Sequence, residues 1–460
     1  GKISKDANIN FINDIHFQQT FEQVEDEVWM LTHEYLFADA NITKNTKLFG
    51  VHAHRHTYRK NYKINQTYPK GFFKTNSTVE VADSAKLRTE DFWEKHRQDT
   101  LTKQERGVPE MLDTLNNLPL FKFMRGSVYM LVTGHWKQGY FEYGHLYQLV
   151  SFNPVEQFRT GVQLRTSNKF SKRIELMGRL YYGFGDQEFK YGGRFRYNVT
   201  PKKRGMLSVF YNNDIEQLGA GPSASSVGSA FGSLMRTGPL DKLTFVERLG
   251  VEFEKDVHKD IILFAGIQWR EYKALGLANY VRISDDGITD TIQRIQNAEV
   301  TLRFRWSKDE EFVSGKFDRS IVRSKYPVLS FQAVMGIKGM FGSDHEYQKL
   351  DFMYDHQRPI GILGNMRYGF GVGVILGQTA YPFLKVHEGN QSYFLYKNTF
   401  NMLNYFEFIS DKYVDGFIEN HWGGLFLDYI PGVRKLQLRF VTSVRATWGT
   451  ISNKHNREMI

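Results

Sequence analysis

Residues 172–197 read "KRIELMGRLYYGFGDQEFKYGGRFRY". Ile174, Leu176, Leu180, Tyr182 and Phe184 share one parity, and Arg173, Glu175 and Arg179 share the other. Beyond Gly185 and Asp186 the alternation restarts. Phe189, Tyr191, Phe195 and Tyr197 are apolar there, against Glu188, Lys190, Arg194 and Arg196. Successive side chains of a strand point to opposite faces, so each half is a strand with one apolar and one charged side. Each half runs to about 11 residues, roughly twice the usual strand length. A long two-faced hairpin needs an apolar medium on one side and a wet one on the other.

The pattern repeats along the chain. In "VEQFRTGVQLRT" (155–166) Phe158, Val162 and Leu164 oppose Arg159, Gln163 and Arg165. In "NAEVTLRFRWS" (297–307) Leu302 and Phe304 oppose Arg303 and Arg305, and "KLQLRFVTSVRATW" (435–448) behaves alike. Roughly fourteen such segments fall at 143–152, 155–166, 173–184, 187–199, 204–213, 242–254, 260–271, 296–307, 327–339, 346–357, 361–376, 399–410, 413–427 and 436–448, near the ~9–11 residues that a transmembrane strand needs. The long connectors, 214–241, 272–295 and 377–398, fall at one end. Most links at the other end are short: 167–172, 200–203, 255–259, 358–360 and 411–412. That asymmetry is the outer-membrane arrangement. The stretch 308–326 is long on the short-turn side, and the alternation gives no account of it.

Composition agrees. Aromatic residues make up 15% of 460, with 37 Phe and 25 Tyr, yet 24% are charged and mean hydropathy is −0.45. A soluble core does not need so many rings beside so many charges, whereas a membrane barrel with aromatic girdles and a polar lumen does. A soluble sandwich or propeller would show shorter strands with fewer charges on them. There is no cysteine, which excludes disulfides, thiolate zinc sites and cysteine nucleophiles. The net charge of +10 (pI ≈ 9.3) would suit nucleic acid, but the basic residues interleave with aromatics instead of clustering, so no nucleic-acid partner is expected. The stretch "YGFGVGVILGQTAYPFL" (368–384) carries Gly369, Gly371, Gly373 and Pro382, a strand with a small-residue face and not a membrane helix. An exported protein carries a signal peptide, so residues before Gly1 are expected to be missing.

Residues 1–87 have shorter strands with weaker alternation and are expected to form a small β-rich domain. Residues 88–125 change character. Thr102 is placed to cap a helix in which Val108, Met111, Leu112 and Leu115 recur at helical spacing, closed by Pro119. This stretch is expected to be a charged helical linker to a barrel over 126–460.

His52, His54 and His56 are the candidate metal ligands, since on a strand they share one face. At about 3.3 Å per residue they spread over ~13 Å, too far for one ion without a bend. A solvated strand face explains them better, and no metal is expected. "GFGVGVILG" (369–377) echoes a dinucleotide fingerprint, but Leu376 stands where the third glycine belongs and no helix pattern follows. Asp351 with Asp355, and Asp415 with Glu419, share strand faces as ordinary lumen carboxylates do. No catalytic residue, no cofactor and no enzymatic activity are expected.

At "FNPVEQFRTGVQLRTSNKFSKRIELMGRLYYGFGDQEFKYGGRFRY" (152–197) the chain resembles a family of Bacteroidota outer-membrane barrels. That family is named for an upstream carboxypeptidase-regulatory-like domain and otherwise carries a domain of unknown function. The likeness extends through "RTEDFWEKHR" (88–97), "YNNDIEQLG" (211–219), "KVHEGNQSYF" (385–394), "EFISDKYVDGFIENHWGGLFLDYIPGVRKLQLR" (407–439) and "ATWGTISNKHN" (446–456). The stretch "SDKYVDGFIENHWGGLFL" is also distantly similar to the surface-antigen barrels of the BamA and TamA type. The loop 377–398 lacks the Arg-Gly-aromatic tip of those assembly barrels, and "SNKHNREMI" at the end is expected not to be a strand. The resemblance implies sixteen strands, so two are expected beyond Ile460.

The fold expected is therefore all-β: a transmembrane antiparallel barrel in the outer membrane, with the N-terminal domain in the periplasm. Arg159, Arg165, Glu175, Arg179, Lys190, Arg194, Arg303 and Arg305 are expected to face the lumen. Phe158, Val162, Leu164, Leu176, Phe189, Phe195, Leu302 and Phe304 are expected to face lipid, with Ile174, Leu180 and Tyr191. The segment 378–396 is expected to fold across the mouth, with Lys385, His387 and Glu388 bonded to lumen charges. The resemblance implies a structural or transport role in envelope biogenesis. Outer-membrane lipids and other outer-membrane proteins or lipoproteins are the expected partners. A passive or gated solute channel is the alternative, and an enzyme using the N-terminal domain a third reading.

Overall fold

The computed structural model describes residues 12–40, 51–69, 88–97, 100–200, 203–219, 229–275, 279–283, 287–436, 438–455 and 458–459. Parts of the expected N-terminal domain (1–11, 41–50 and 70–87) and of two long connectors (220–228, 276–278 and 284–286) lie outside the described residues. The chain divides into two compact units. One comprises 1–75, 79–110 and 427–438, and the other 76–78, 111–426 and 439–460.

In the first unit β1 (Ile12–Glu25), β2 (Val28–Ala40) and β3 (Val51–Tyr58) form an antiparallel sheet in that order, and α1 covers Glu90–His96. Helix α2 (Lys103–Asn117) starts with a reciprocal cap. The Thr102 N–H donates to the Glu105 carboxylate at 2.7 Å, and the Glu105 N–H donates to Thr102 Oγ1 at 3.3 Å. Pro119 does not merely close that helix, as the sequence suggests. It opens α3 (Pro119–Thr133), where a missing N–H costs nothing. Helix α3 ends on left-handed Gly134 (φ 73°), so helix persists past the boundary expected at 125.

The second unit is dominated by one fifteen-stranded antiparallel sheet. Three strands are only 4 residues long: β4 (His135–Gln138), β5 (Phe141–Gly144) and β6 (Val150–Asn153). Next come β7 (Gln157–Thr166), β8 (Ile174–Gly183), β9 (Phe189–Asn198), β10 (Gly205–Gln217), β11 (Leu243–His258) and β12 (Ile261–Ala274). A small hairpin, β13 (Tyr280–Ile283) with β14 (Thr289–Ile292), precedes β15 (Arg294–Ser307). A second hairpin, β16 (Glu311–Ser314) with β17 (Arg319–Arg323), precedes β18 (Val328–Gly336), β19 (Glu346–Pro359) and β20 (Asn365–Gln378). The two-residue pair β21 (Lys385–Val386) and β22 (Ile409–Ser410) leads to β23 (Lys412–His421) and β24 (Val441–Thr450). The sheet path runs from β4 to β24, with consecutive long strands paired as neighbours. Twelve of its strands have 9 to 16 residues.

One face of the sheet is concave. Arg159 on β7 reaches Asp214 on β10 at 2.6 Å, and Tyr413 on β23 reaches Asp351 on β19 at 2.5 Å. In a flat sheet β7 and β10 would stand about 14 Å apart. The main apolar core lies at the end with the long connectors, where Tyr272, Tyr280, Ile295, Tyr347, Ile375 and Phe383 are buried together.

Three expectations change, and one stretch without an expectation gains an account. Segment 143–152 is not one strand. It breaks at Gly144 (φ 146°), where a Cβ would collide with the Gly134 carbonyl oxygen. Segment 399–410 is not a long strand either and contributes only β22. Its asparagines bond locally instead: Asn401 accepts from the Tyr396 N–H at 3.0 Å and donates back to the Tyr396 carbonyl at 3.1 Å. The unexplained stretch 308–326 is the hairpin β16–β17. The final segment makes a short strand, β25 (Glu458–Met459), paired with β13.

Candidate functional site

The two faces of the large sheet differ in chemistry. On the convex face Phe158, Val162, Leu164, Leu176, Leu180, Phe189, Tyr191, Phe195, Leu302 and Phe304 are all exposed, and Ile174 is half-buried. On the concave face Arg159, Glu175 and Lys190 are buried, Arg165, Arg179 and Arg305 half-buried, and Arg194 and Arg303 exposed. Strand parity alone produces this division, because the ladder β8–β9 runs from Ile174↔Tyr197 to Tyr182↔Phe189 without a shift.

At the β6–β10 end of the concave face six charges compensate one another. Arg159 stands 3.3 Å from Glu156 and 2.6 Å from Asp214, and Arg179 meets Asp214 at 3.2 Å. Lys190 lies 3.3 Å from Glu156 and pairs with Asp186. The Arg159 guanidinium also stacks 4.2 Å above the Tyr181 ring. Three cations face three carboxylates, so this buried array has no formal excess charge. Nearer the short-turn end, Arg165 pairs with Glu142 at 2.7 Å and Arg196 with Glu175 at 2.6 Å.

Across β11–β24 the concave face borders a cavity of about 940 Å³. Arg270 pairs with Glu299, which also accepts from Tyr347, and Lys349 lies 3.8 Å from Glu299. Arg303 donates to Gln332 at 2.9 Å and sits 5.0 Å over the Phe264 ring, and Arg194 sits 5.8 Å from the Phe210 ring centroid. Arg305 is held by Glu310 at 2.5 Å.

The connector 379–411 forms part of that cavity's wall. Its Lys385 stands 4.0 Å from Asp415 of β23. The buried His387 places Nδ1 3.3 Å from Asp415 and 3.1 Å from Thr447 of β24, and Nε2 3.0 Å from Ser410. Glu388 also lines the cavity, where burial pushes its carboxyl up in pKa despite Lys385. Serine, imidazole and carboxylate in this order match the geometry of a hydrolase triad. Ser410, however, is 3% exposed, sits in the β21–β22 ladder and is not among the cavity-lining residues. A substrate in the cavity would meet the imidazole and not the hydroxyl, so the array acts as a clamp on the connector. A second clamp lies nearby. Asp411 accepts from the Ser452 hydroxyl and N–H, and His455 Nε2 stands 3.4 Å from it.

Sequence reasoning missed the hairpin β16–β17. Asp318 at its turn meets Arg196 at 2.9 Å and Arg165 at 3.6 Å, and Arg319 grips Asp256 at 2.9 Å. Buried Phe317 sits beneath the Arg196 guanidinium, 5.6 Å away. The length of 308–326 on the short-turn side was the available signal. In the first unit His52 pairs with Asp39 at 3.3 Å, His54 with the Tyr35 hydroxyl at 2.9 Å and His56 with His33 at 3.2 Å. Each imidazole has its own partner across β2, and among the described residues no group of three potential metal ligands converges.

A model for the C-terminal domain of a family of unknown function (DUF5686) matches residues 123–458. No curated protein matches the chain. Among solved structures, BamA from Haemophilus ducreyi lacking POTRA domains 1–3 is similar at 11% identity and a TM-score of 0.39. The match covers 68% of this chain and 59% of that one.

Proposed function

Because the chain belongs to the family of unknown function (DUF5686), through that family's C-terminal domain, we propose that it is an integral outer-membrane β-barrel with a structural or transport role in envelope biogenesis. In this reading it is a subunit of a larger outer-membrane complex of the Bacteroidota type, with a carboxypeptidase-regulatory-like domain upstream and the N-terminal unit in the periplasm. One observation carries the proposal: twelve long strands form one sheet with apolar side chains on its convex face and polar, largely ion-paired ones on its concave face. In water the convex face would expose apolar area costing about 25 cal/mol per Å². In a bilayer it is solvated by acyl chains. The lipid must then see no open edge, so this reading requires β4 and β24, the two ends of the sheet path, to meet and close the wall. Lipids and other outer-membrane proteins or lipoproteins are the partners. No nucleic acid, cofactor or catalytic group enters the proposal.

The connector 379–411, clamped at His387 and Asp411, favours a closed scaffold over a porin. Purified protein in planar bilayers is expected to show low, irregular conductance, and deletion of 380–394 to raise it. The second reading, a passive or gated channel, is favoured by the cavity of about 940 Å³ and the exposed Arg303. A large, steady conductance from the intact protein would establish it and end the scaffold reading.

A further inference from the structure

Helix α3 carries an apolar face that the described residues leave open. Leu120, Phe123, Val128 and Leu131 are 71%, 62%, 61% and 65% exposed. With Met124 and Ser127 they fall within one arc of roughly 140°. The rest of the helix holds it to the sheet: the Trp136 indole closes on Gly126, the Tyr129 hydroxyl reaches Glu142 at 3.4 Å, and the Tyr147 hydroxyl donates to the Leu131 carbonyl at 3.0 Å. The only charged residues of α3 are Lys122 and Arg125, and Arg125 donates to the uncharged Asn116 amide oxygen at 2.7 Å.

The register sets the height of this helix on the wall. His135, just beyond it, pairs with Gly144, and Tyr143 pairs with Leu164, close to the end of β7 at Thr166. The C-terminus of α3 therefore meets the wall roughly 10 Å along the strand from the short-turn end. Exposed Tyr140, Phe141, Tyr143 and Tyr147 surround that point, and rings of this kind collect at headgroup level.

We propose that α3 is an interfacial membrane helix. Its apolar arc lies in the acyl boundary of the leaflet at the short-turn end, and Lys122 and Arg125 rest on anionic headgroups. An amphipathic helix of this kind sinks about 5–10 Å, the depth its anchor allows. Two cations without an acidic residue suit an anionic surface. The inference rests on the barrel reading, and its test separates the two.

The chain has no cysteine, so Leu120→Cys, Lys122→Cys, Leu131→Cys and, on the convex face of β7, Val162→Cys each give one labelling site in the full chain. Each variant is labelled with nitrobenzoxadiazole in nanodiscs containing nitroxide-bearing lipid. Labels at 120 and 131 are expected to be blue-shifted and quenched several-fold more than the label at 122, with 162 quenched as well. Quenching at 162 with water-like emission at 120 and 131 overturns the proposal and leaves the barrel standing. No quenching at any site removes the barrel reading, and this inference with it. Labels at 120 and 131 that are shielded from water yet unquenched would mean that protein covers the helix, which also overturns it. Changing phosphatidylcholine for phosphatidylglycerol nanodiscs should deepen the blue shift at 131, and the double variant Lys122→Glu, Arg125→Glu should abolish that gain. A gain that survives refutes the headgroup contact.

Discussion

Arg159 is 1% exposed and lies between Glu156 and Asp214, so its removal leaves buried carboxylates short of a cation. Arg159→Leu is expected to destabilise the wall by about 3–5 kcal/mol, the usual cost of breaking a buried pair from one side. On the opposite face the sign of the chemistry reverses. In the proposed barrel Val162→Arg is expected to cost about 2–4 kcal/mol if the site lies near the bilayer midplane, whereas Arg194→Gln, on the concave face, should change little. Denaturant unfolding in lipid bilayers compares all three variants, and equal effects at Val162 and Arg194 would contradict the two-faced wall. In the first unit the histidines have separate partners, so the purified protein is expected to hold no stoichiometric zinc. Replacing His52, His54 and His56 together should leave β3 paired. Zinc present in the native chain and lost in the triple variant would reverse that conclusion.

The hairpin β16–β17 gives a pH dependence with a definite sign. Burial works to raise the Asp318 carboxyl, and the guanidiniums of Arg196 and Arg165 outweigh it and hold that group below the usual carboxylate range. A carboxyl depressed in the folded state adds stability above its unfolded pKa, about 4, and loses it as pH falls through the folded value. The clamp is thus complete at neutral pH and weakens in acid, modestly, since the Asp318 side chain remains 65% exposed and solvent screens it. Hydrogen exchange across 311–323 is expected to quicken below about pH 4 relative to β8, and Asp318→Asn should remove that difference. Two-faced strands such as β8 and β9 were legible from the sequence because period-2 alternation is local information. The hairpin was not, since its 4- and 5-residue strands are too short to show a period. Nor was the fate of 399–410, where apolar spacing suggests a strand but Asn401 finds its hydrogen bonds within its own turn. The partner of Arg159 lies 55 residues away. Parity places that arginine on a face, and only the curvature of the sheet selects Asp214 to meet it.

At the scale of the whole molecule, the sheet and one of the two fastenings of the connector rest on different parts of the chain. The wall is a neighbour-to-neighbour ladder from β7 to β24. Part of what holds the connector 379–411 is buried His455, which lies 3.4 Å from Asp411 and accepts weakly from the Thr379 N–H at 3.4 Å. His455→Ala is therefore expected to raise bilayer conductance while leaving the unfolding midpoint of the wall nearly unchanged. A variant that loses both together would show that the two are one cooperative unit.

The contacts of Ser452 and His455 also divide the connector's fastenings between two places in the chain. These residues follow β24 in the chain, so the fastening at Asp411 is made by residues outside the long strands, whereas the one at His387 is made to β23 and β24 themselves. A protease that trims the chain beyond Thr450 would therefore undo the fastening at Asp411 and leave the one at His387 in place.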